Sequence, residues 1–186
     1  MAATYSKMVP LGTKAIDFNL YNPILDKFQS LQELKSEIAT VIMFICNHCP
    51  FVKFINKALV ELTNEYLKRG ISFIAINSND VVNYPEDSPQ KMIEYSKELG
   101  YNFPYLFDET QEVAKAYDAA CTPDFYIYDK DLKLVYRGQF DDSRPSNGII
   151  PTGKDIRKTL DLLIENKTIN FEQKPSIGCN IKWKNN

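Results

Sequence analysis

Two short apolar runs bracket one long amphipathic segment, and this limits the folds open to the chain more than any other feature. The first run, Ile38–Ile45, is continuous and rich in β-branched residues. It is too short for a helix of its own, so it reads as a strand buried on both faces. The second, Ile71–Asn77, reads ISFIAIN and is a strand of the same kind. Between them Phe51, Ile55, Leu59 or Leu62, and Tyr66 recur at helical spacing, with Lys53, Lys57, Glu61 and Lys68 elsewhere on the wheel. Lys68-Arg69-Gly70 stops that helix: cations in the last turn, then a residue free to turn left-handed. Strand, helix and strand with joints this tight form a parallel βαβ unit.

The alternation continues downstream. Ser88-Pro89 starts a helix that Gly100 closes, and Phe103–Phe107 is a short strand. Asp108-Glu109-Thr110-Gln111 resembles a capping box for a helix reaching about Tyr117. Asp124–Tyr128 and Lys133–Gly138 flank an Asp-Lys-Asp turn and predict a hairpin. Thr152 is placed to cap a last helix carrying Ile156, Leu160, Leu163 and Ile164 on one face. The predicted class is α/β, a central mixed β-sheet flanked by helices on both faces. Residues 1 to about 37 read as irregular, with one strand at Ala15–Leu20, and the tail from about 170 to 186 shows little periodicity. Cys179 and Trp183 in that tail suggest that it packs back on the domain. A length of 186 residues fits one domain, 1–186, with an irregular N-terminal segment of about 1–14.

Composition excludes several functions. A net charge of -2 with no basic cluster argues against nucleic-acid binding. The run Val41–Ile45 falls far short of the ~20 residues of a membrane helix. MAATYSKMVPLG has no apolar stretch of the signal type, so a cytoplasmic location is expected, or a periplasmic one had a cleaved leader been omitted. Four cysteines in a chain this long suit mostly reduced thiols rather than a disulfide scaffold.

Those thiols centre on Ile45-Cys46-Asn47-His48-Cys49-Pro50, where the first strand meets the long helix. A helix N-terminus presents unpaired N–H groups and partial positive charge, which lower a thiol's pKa from its usual ~8.5. Cys46 is the more N-terminal sulfur and is expected to be the more exposed, so it is assigned nucleophilic attack. Cys49, nearer the core, would resolve the mixed disulfide. His48, the only histidine, would add an imidazolium that favours the Cys46 thiolate. Pro50 falls in the first helical turn, where its missing N–H costs nothing. Zinc and inert burial stay open as alternatives. Zinc would need two more ligands, however, and Cys121 and Cys179 are isolated, so no metal is assigned. A second signal is Cys121-Thr122-Pro123-Asp124-Phe125. A proline directly before a buried strand shapes a turn, and an X-Pro bond is where cis is cheap. A cis Pro123 would leave the Thr122 backbone free to pair with an extended peptide.

CNHCPFV at 46–52, CTPDFY at 121–126 and PSIGCNIKWK at 175–184 resemble the peroxiredoxin-like redoxins of the thioredoxin superfamily (AhpC/TSA and TlpA/ResA-like). The resemblance implies a thioredoxin-like fold with a helix–strand insertion at residues 88 to 107. It also implies Cys46 and Cys49 as the redox pair, a cis Pro123, and Asn47, Thr122 and Pro123 on the substrate side. The buried acid that thioredoxin carries in the preceding strand is missing from VIMFI, and Cys-x-His-Cys is similar to the oxidising DsbA-type pair. A peroxiredoxin would place threonine where Cys46 stands and its peroxidatic cysteine where Cys49 stands. Arg137 is read as a partly exposed strand residue. Cys121 is an auxiliary thiol, a relay or a partner for Cys179; Cys179 itself reads as a small buried hydrophobe.

The function expected is thiol–disulfide exchange, with no cofactor. Partners would be protein or small-molecule disulfides and thiols, with a thiol electron donor and a homodimer open. The alternatives are a thiol peroxidase reducing hydroperoxides through Cys49, and a binding module with structural thiols.

Overall fold

The computed structural model describes residues 3–185. The chain begins with β1 (Ala3–Tyr5), then a hairpin of β2 (Asn19–Asn22) and β3 (Lys27–Ser30) that leads into a one-turn helix, α1 (Leu31–Leu34). Ser30 caps α1 reciprocally: Glu33 N donates to its hydroxyl, and the Glu33 carboxylate accepts from Ser30 N. β4 (Ala39–Phe44), α2 (Pro50–Leu67) and β5 (Ser72–Asn77) make the βαβ unit, with β4 and β5 parallel. A 3-10 turn at Pro85–Asp87 precedes α3 (Pro89–Leu99). Then come β6 (Tyr105–Phe107), α4 (Glu112–Ala116), β7 (Cys121–Thr122), β8 (Asp124–Asp129), β9 (Leu134–Gly138), α5 (Lys154–Ile164) and β10 (Ile177–Asn180).

Seven strands form one mixed sheet in the order β3-β2-β6-β5-β4-β8-β9. β4 lies inside it, parallel to β5 and antiparallel to β8. Every β4 residue is buried, because both faces are covered. Val41 and Met43 face a core shared with Leu59 and Leu62 of α2, Met92 of α3 and Leu160 of α5. Ile42 and Phe44 face the opposite core, with Leu31 of α1, Ala114 of α4 and Tyr117. Burying one such side chain contributes about 1.5–3 kcal/mol. A strand packed on both sides therefore has little freedom, and the loop at its end is held firmly. A smaller sheet, β1-β10-β7, lies beside the main one.

The structure departs from the sequence expectations at five places. The segment before residue 37 is not irregular: it holds β1, β2, β3 and α1, and the expected strand Ala15–Leu20 overlaps β2 only at Asn19 and Leu20. The hairpin escaped notice because its turn and outer face carry apolar residues: Ile24, Leu25 and Phe28 are all exposed. Asp108 is not an N-cap. Gln111 takes that position at a φ of 64°, and Asp108 Oδ2 instead accepts from Ala114 N and the Ser78 hydroxyl. Thr152 does not cap α5. Gly153 does, and the charge comes from Asp141, whose Oδ2 accepts from the backbone N of both Thr152 and Gly153.

The tail does return, and as a strand: β10 is sandwiched between β1 and β7. Finally, Arg137 is fully buried. Its guanidinium donates to Asp124 Oδ2 at 3.2 Å and Asp118 O at 2.8 Å, and lies 4.4 Å from the centre of the Tyr126 ring. Burial pushes the Asp124 carboxyl up to about 7, against the pull of Arg137.

Removing one partner of a buried ion pair leaves the other uncompensated. Arg137→Met is expected to lower stability by about 3–5 kcal/mol in urea unfolding. A midpoint unchanged from wild type would show that the pair is not needed.

Candidate functional site: a buried thiol cluster at the start of α2

The loop from β4 to α2 carries Cys46, Asn47, His48 and Cys49, and Cys49 is the N-cap of α2. Pro50 occupies the first helical position, as expected. The loop is organised by Asp87, from the 3-10 turn, a residue the sequence reading did not single out. Its Oδ1 accepts from Asn47 N at 2.8 Å and His48 N at 3.3 Å. Its Oδ2 accepts from Asn79 Nδ2 at 2.8 Å and sits 2.6 Å from His48 Nδ1. The one available signal was an acid in a Pro-Glu-Asp-Ser-Pro turn, and nothing local tied it to the cysteines.

Asn47 is held by the fold itself and lines the groove beside His48. It is buried, its amide nitrogen donates to Glu86 O, and its carbonyl accepts from the Tyr105 hydroxyl. His48 stacks on Tyr84 with ring centres 5.3 Å apart. Asp87 raises the His48 pKa through the hydrogen bond, and burial opposes this. The imidazolium charge is thus matched by Asp87, and the nearby Cys49 sulfur also raises the His48 pKa.

The cysteines differ from expectation. Neither is exposed: Cys46 is 1% accessible and Cys49 0%. Burial pushes the Cys46 thiol well up, and the neighbouring Cys49 sulfur and the Asp87 charge add to this. Cys49 goes the other way, to about 5. The hydrogen bond from Cys46 is the main cause; the Cys179 thiol, the Thr122 hydroxyl and Val52 N–H also donate, against desolvation. The thiolate therefore belongs on Cys49, where the helix start and three side-chain donors converge. When protonated, Cys49 gives its proton to Thr122 O at 3.1 Å.

The Thr122–Pro123 peptide bond is cis. The Thr122 backbone edge, however, is not free. β7 pairs antiparallel with β10, placing Cys179 opposite Thr122 and Asn180 opposite Cys121. Thr122 instead turns its hydroxyl to the thiols, 3.4 Å from Cys46 Sγ. Cys121 is buried, with its sulfur 3.9 Å from Pro123 O, and burial pushes its thiol up, so it stays protonated. All four cysteines are free and buried.

Among the described residues, the one cluster of metal-ligating groups is Cys46, His48 and Asp87, within 4.8 Å of one another. Both Asp87 oxygens are already taken by hydrogen bonds, so this set fits a neutralised histidine better than a metal. A groove of about 480 Å3 passes His48 between α2 and α3, bounded by Lys53, Glu86, Glu94 and Tyr95. Among the described residues no helix is long and apolar enough to cross a membrane.

A mixed sheet with helices on both faces, a dithiol where β4 meets α2, and a Thr-Pro step before β8 define the thioredoxin-like redoxin class. The chain belongs to the AhpC/TSA family, whose model matches residues 11–137. It is similar to a conserved protein from Geobacillus kaustophilus, with 62% identity and a TM-score of 0.97, covering 99% of this chain and 97% of that one. The fold alone is shared with the thioredoxin domain of a thiol-disulfide oxidoreductase from Bacteroides vulgatus (13% identity, TM-score 0.63, 82% of this chain and 99% of that one). The same holds for peroxidoxin BcpB from Mycobacterium tuberculosis (16% identity, TM-score 0.62, 85% of this chain and 98% of that one). No curated protein matches the chain.

Two titrations follow from this geometry. Thiolate absorbance near 240 nm should rise with a midpoint at about 5 and disappear in Cys49→Ser. Cys46→Ala, which removes a donor, should move the midpoint upward; a midpoint at the ordinary thiol value would contradict the assignment. For His48, the folded pKa is raised, so its contribution to stability is complete below the unfolded value of ~6.5 and is lost as pH rises through the folded value. Asp87→Asn should bring the NMR-detected His48 pKa down and remove that component of the pH dependence. An unshifted imidazole would discount the ion pair.

Proposed function

We propose that the protein is a thiol oxidoreductase that cycles between the Cys46/Cys49 dithiol and its disulfide. The observation that carries this reading is the pair of buried sulfurs set on Thr122 at the start of α2, Cys46 Sγ 3.4 Å from its hydroxyl and Cys49 Sγ 3.1 Å from its carbonyl oxygen. Cys49, as the thiolate, attacks one sulfur of a disulfide R–S–S–R and expels RS⁻. Cys46 then bonds to the Cys49 sulfur, its proton leaves with the second RS⁻, and the Cys46–Cys49 disulfide closes. This reverses the order of attack read from the sequence. A thiol donor restores the dithiol, and no metal or organic cofactor enters either half. His48 and Asp87 act by holding the loop, and the Thr122 hydroxyl by supporting both sulfurs.

The reactant is small. Both sulfurs are nearly inaccessible, and the chain's own β10 covers the edge where an extended peptide would pair. The same burial supports a second reading, in which a hydroperoxide is the oxidant. Cys49 takes the distal oxygen and becomes a sulfenic acid as the alcohol leaves, and Cys46 then forms the disulfide with release of water. A thiol-disulfide oxidoreductase and a peroxidoxin both stand among the proteins sharing the fold.

Mixing reduced protein with glutathione disulfide or hydrogen peroxide tests the reading. Rapid Cys46–Cys49 disulfide formation with either reagent is expected, and in Cys49→Ser the consumption of either reagent should fall by about 10³-fold or more. In Cys46→Ser, dimedone labelling of Cys49 after peroxide would favour the peroxidase form, and a stable glutathione adduct on Cys49 the exchange form. If neither reagent oxidises the pair, the proposal fails.

A further inference from the structure

A narrow cleft beside the thiols is left unused by the thiol chemistry. It is lined by Pro123, which the cis bond joins to Thr122, whose carbonyl oxygen lies 3.1 Å from Cys49 Sγ. Phe51 and Phe54 line it from α2, which starts at the residue after Cys49. Phe140, Ser143 and Arg144 line it from the loop between β9 and α5. The enclosed space is about 20 Å3, enough for one functional group at the end of a small molecule.

The charge in this cleft is Arg144, and it is held in place without being neutralised. Nη1 donates to Asp141 O at 2.7 Å and Ser143 O at 2.6 Å, and Nη2 donates to Gln139 Oε1 at 2.5 Å. All three acceptors are neutral, and two of the five guanidinium N–H groups remain. The acids beside it in sequence are engaged elsewhere. Asp141 accepts from the backbone N of Ser143, Thr152 and Gly153, and Asp142 pairs with Lys154 and Lys174. The backbone is fixed as well, since Arg144 N donates to Asn147 Oδ1 at 2.9 Å. Ser143 is buried next to this guanidinium. Its hydroxyl makes no hydrogen bond of good geometry, although the Asp141 carboxylate lies close enough to feel it. A planar cation fixed by neutral acceptors, with a spare hydroxyl at its side, matches the two oxygens of a carboxylate.

We propose that this cleft is an anion subsite, in which Arg144 and the Ser143 hydroxyl hold a carboxylate of the small reactant while its reacting end meets Cys49. The proposal rests on the reading of Cys49 as the reactive thiolate, and it names the class of reactant: small molecules that carry a carboxylate. Phe51, Phe54 and Phe140 flank the charged group with apolar surface, where an ion pair is screened less than in water. Arg144 and Ser143 take no part in electron transfer. They select the reactant and orient it.

The test compares iodoacetate with iodoacetamide, which differ in carrying a carboxylate or a neutral amide. A thiolate displaces iodide from either, and an ordinary thiolate gains nothing from the acid because like charges repel. Reduced full-length protein is mixed with each reagent near neutral pH, and alkylation of Cys49 is followed by mass spectrometry. Iodoacetate is expected to react about tenfold faster, the size of one charge-assisted hydrogen bond. Arg144→Gln should abolish that preference, and Arg144→Lys, which keeps the charge, should retain part of it. A second measurement needs no variant to fold: propionate should slow the reaction of wild-type Cys49 with iodoacetamide, and propionamide should not. A wild-type preference for iodoacetamide, or an iodoacetate preference that survives Arg144→Gln, would overturn the subsite and leave the reactive Cys49 intact. No alkylation of Cys49 by either reagent would overturn both.

Discussion

The site depends on a buried carboxylate. Asp87 is fully enclosed, and an enclosed charge persists only when hydrogen bonds replace the water it has lost. Asn47 N, His48 N, the His48 ring and the Asn79 amide make that replacement. Two backbone amides of the loop between β4 and α2 are thereby committed to one point in space, and the loop has one conformation. Cys49 then falls at the N-cap, and Cys46 falls beside it. The same carboxylate also holds the His48 ring, 2.6 Å from its Nδ1.

The two motif cysteines share one environment and titrate in opposite directions. Both lose hydration, which alone would raise both. Cys49 escapes because donors surround it; Cys46 is one of those donors and bears the cost of helping a neighbouring anion. Such a division suits chemistry in which one sulfur attacks and a second, still protonated, follows. It places the anion on a residue with no accessible surface.

The sequence made the fold legible where periodicity was strong. β4, α2 and β5 announce themselves because a strand covered on both faces must be apolar throughout, and a helix covered on one face cannot be. The Cys46/Cys49 pair and the Thr122-Pro123 step were legible for the same reason, since they sit at the ends of such elements. Long-range polar contacts were not. Asp87, Asp108, Asp141 and Arg137 each bond to groups distant in the chain, and no local pattern shows which donor a carboxylate will meet. The hairpin of β2 and β3 hid behind exposed apolar residues. The tail strand hid because β10 is too short for a period, and its partners β1 and β7 lie far away in sequence. Its arrival at Thr122 closes the backbone edge of β7.

The joining of β10 to β1 and β7 has a consequence for synthesis. α2 and its sulfurs are translated well before residues 177–180, and domains acquire structure as they emerge. Until the last strand leaves the ribosome, Thr122 lacks the neighbour that pairs with it. The edge beside the thiols is thus completed only by the final residues to be made.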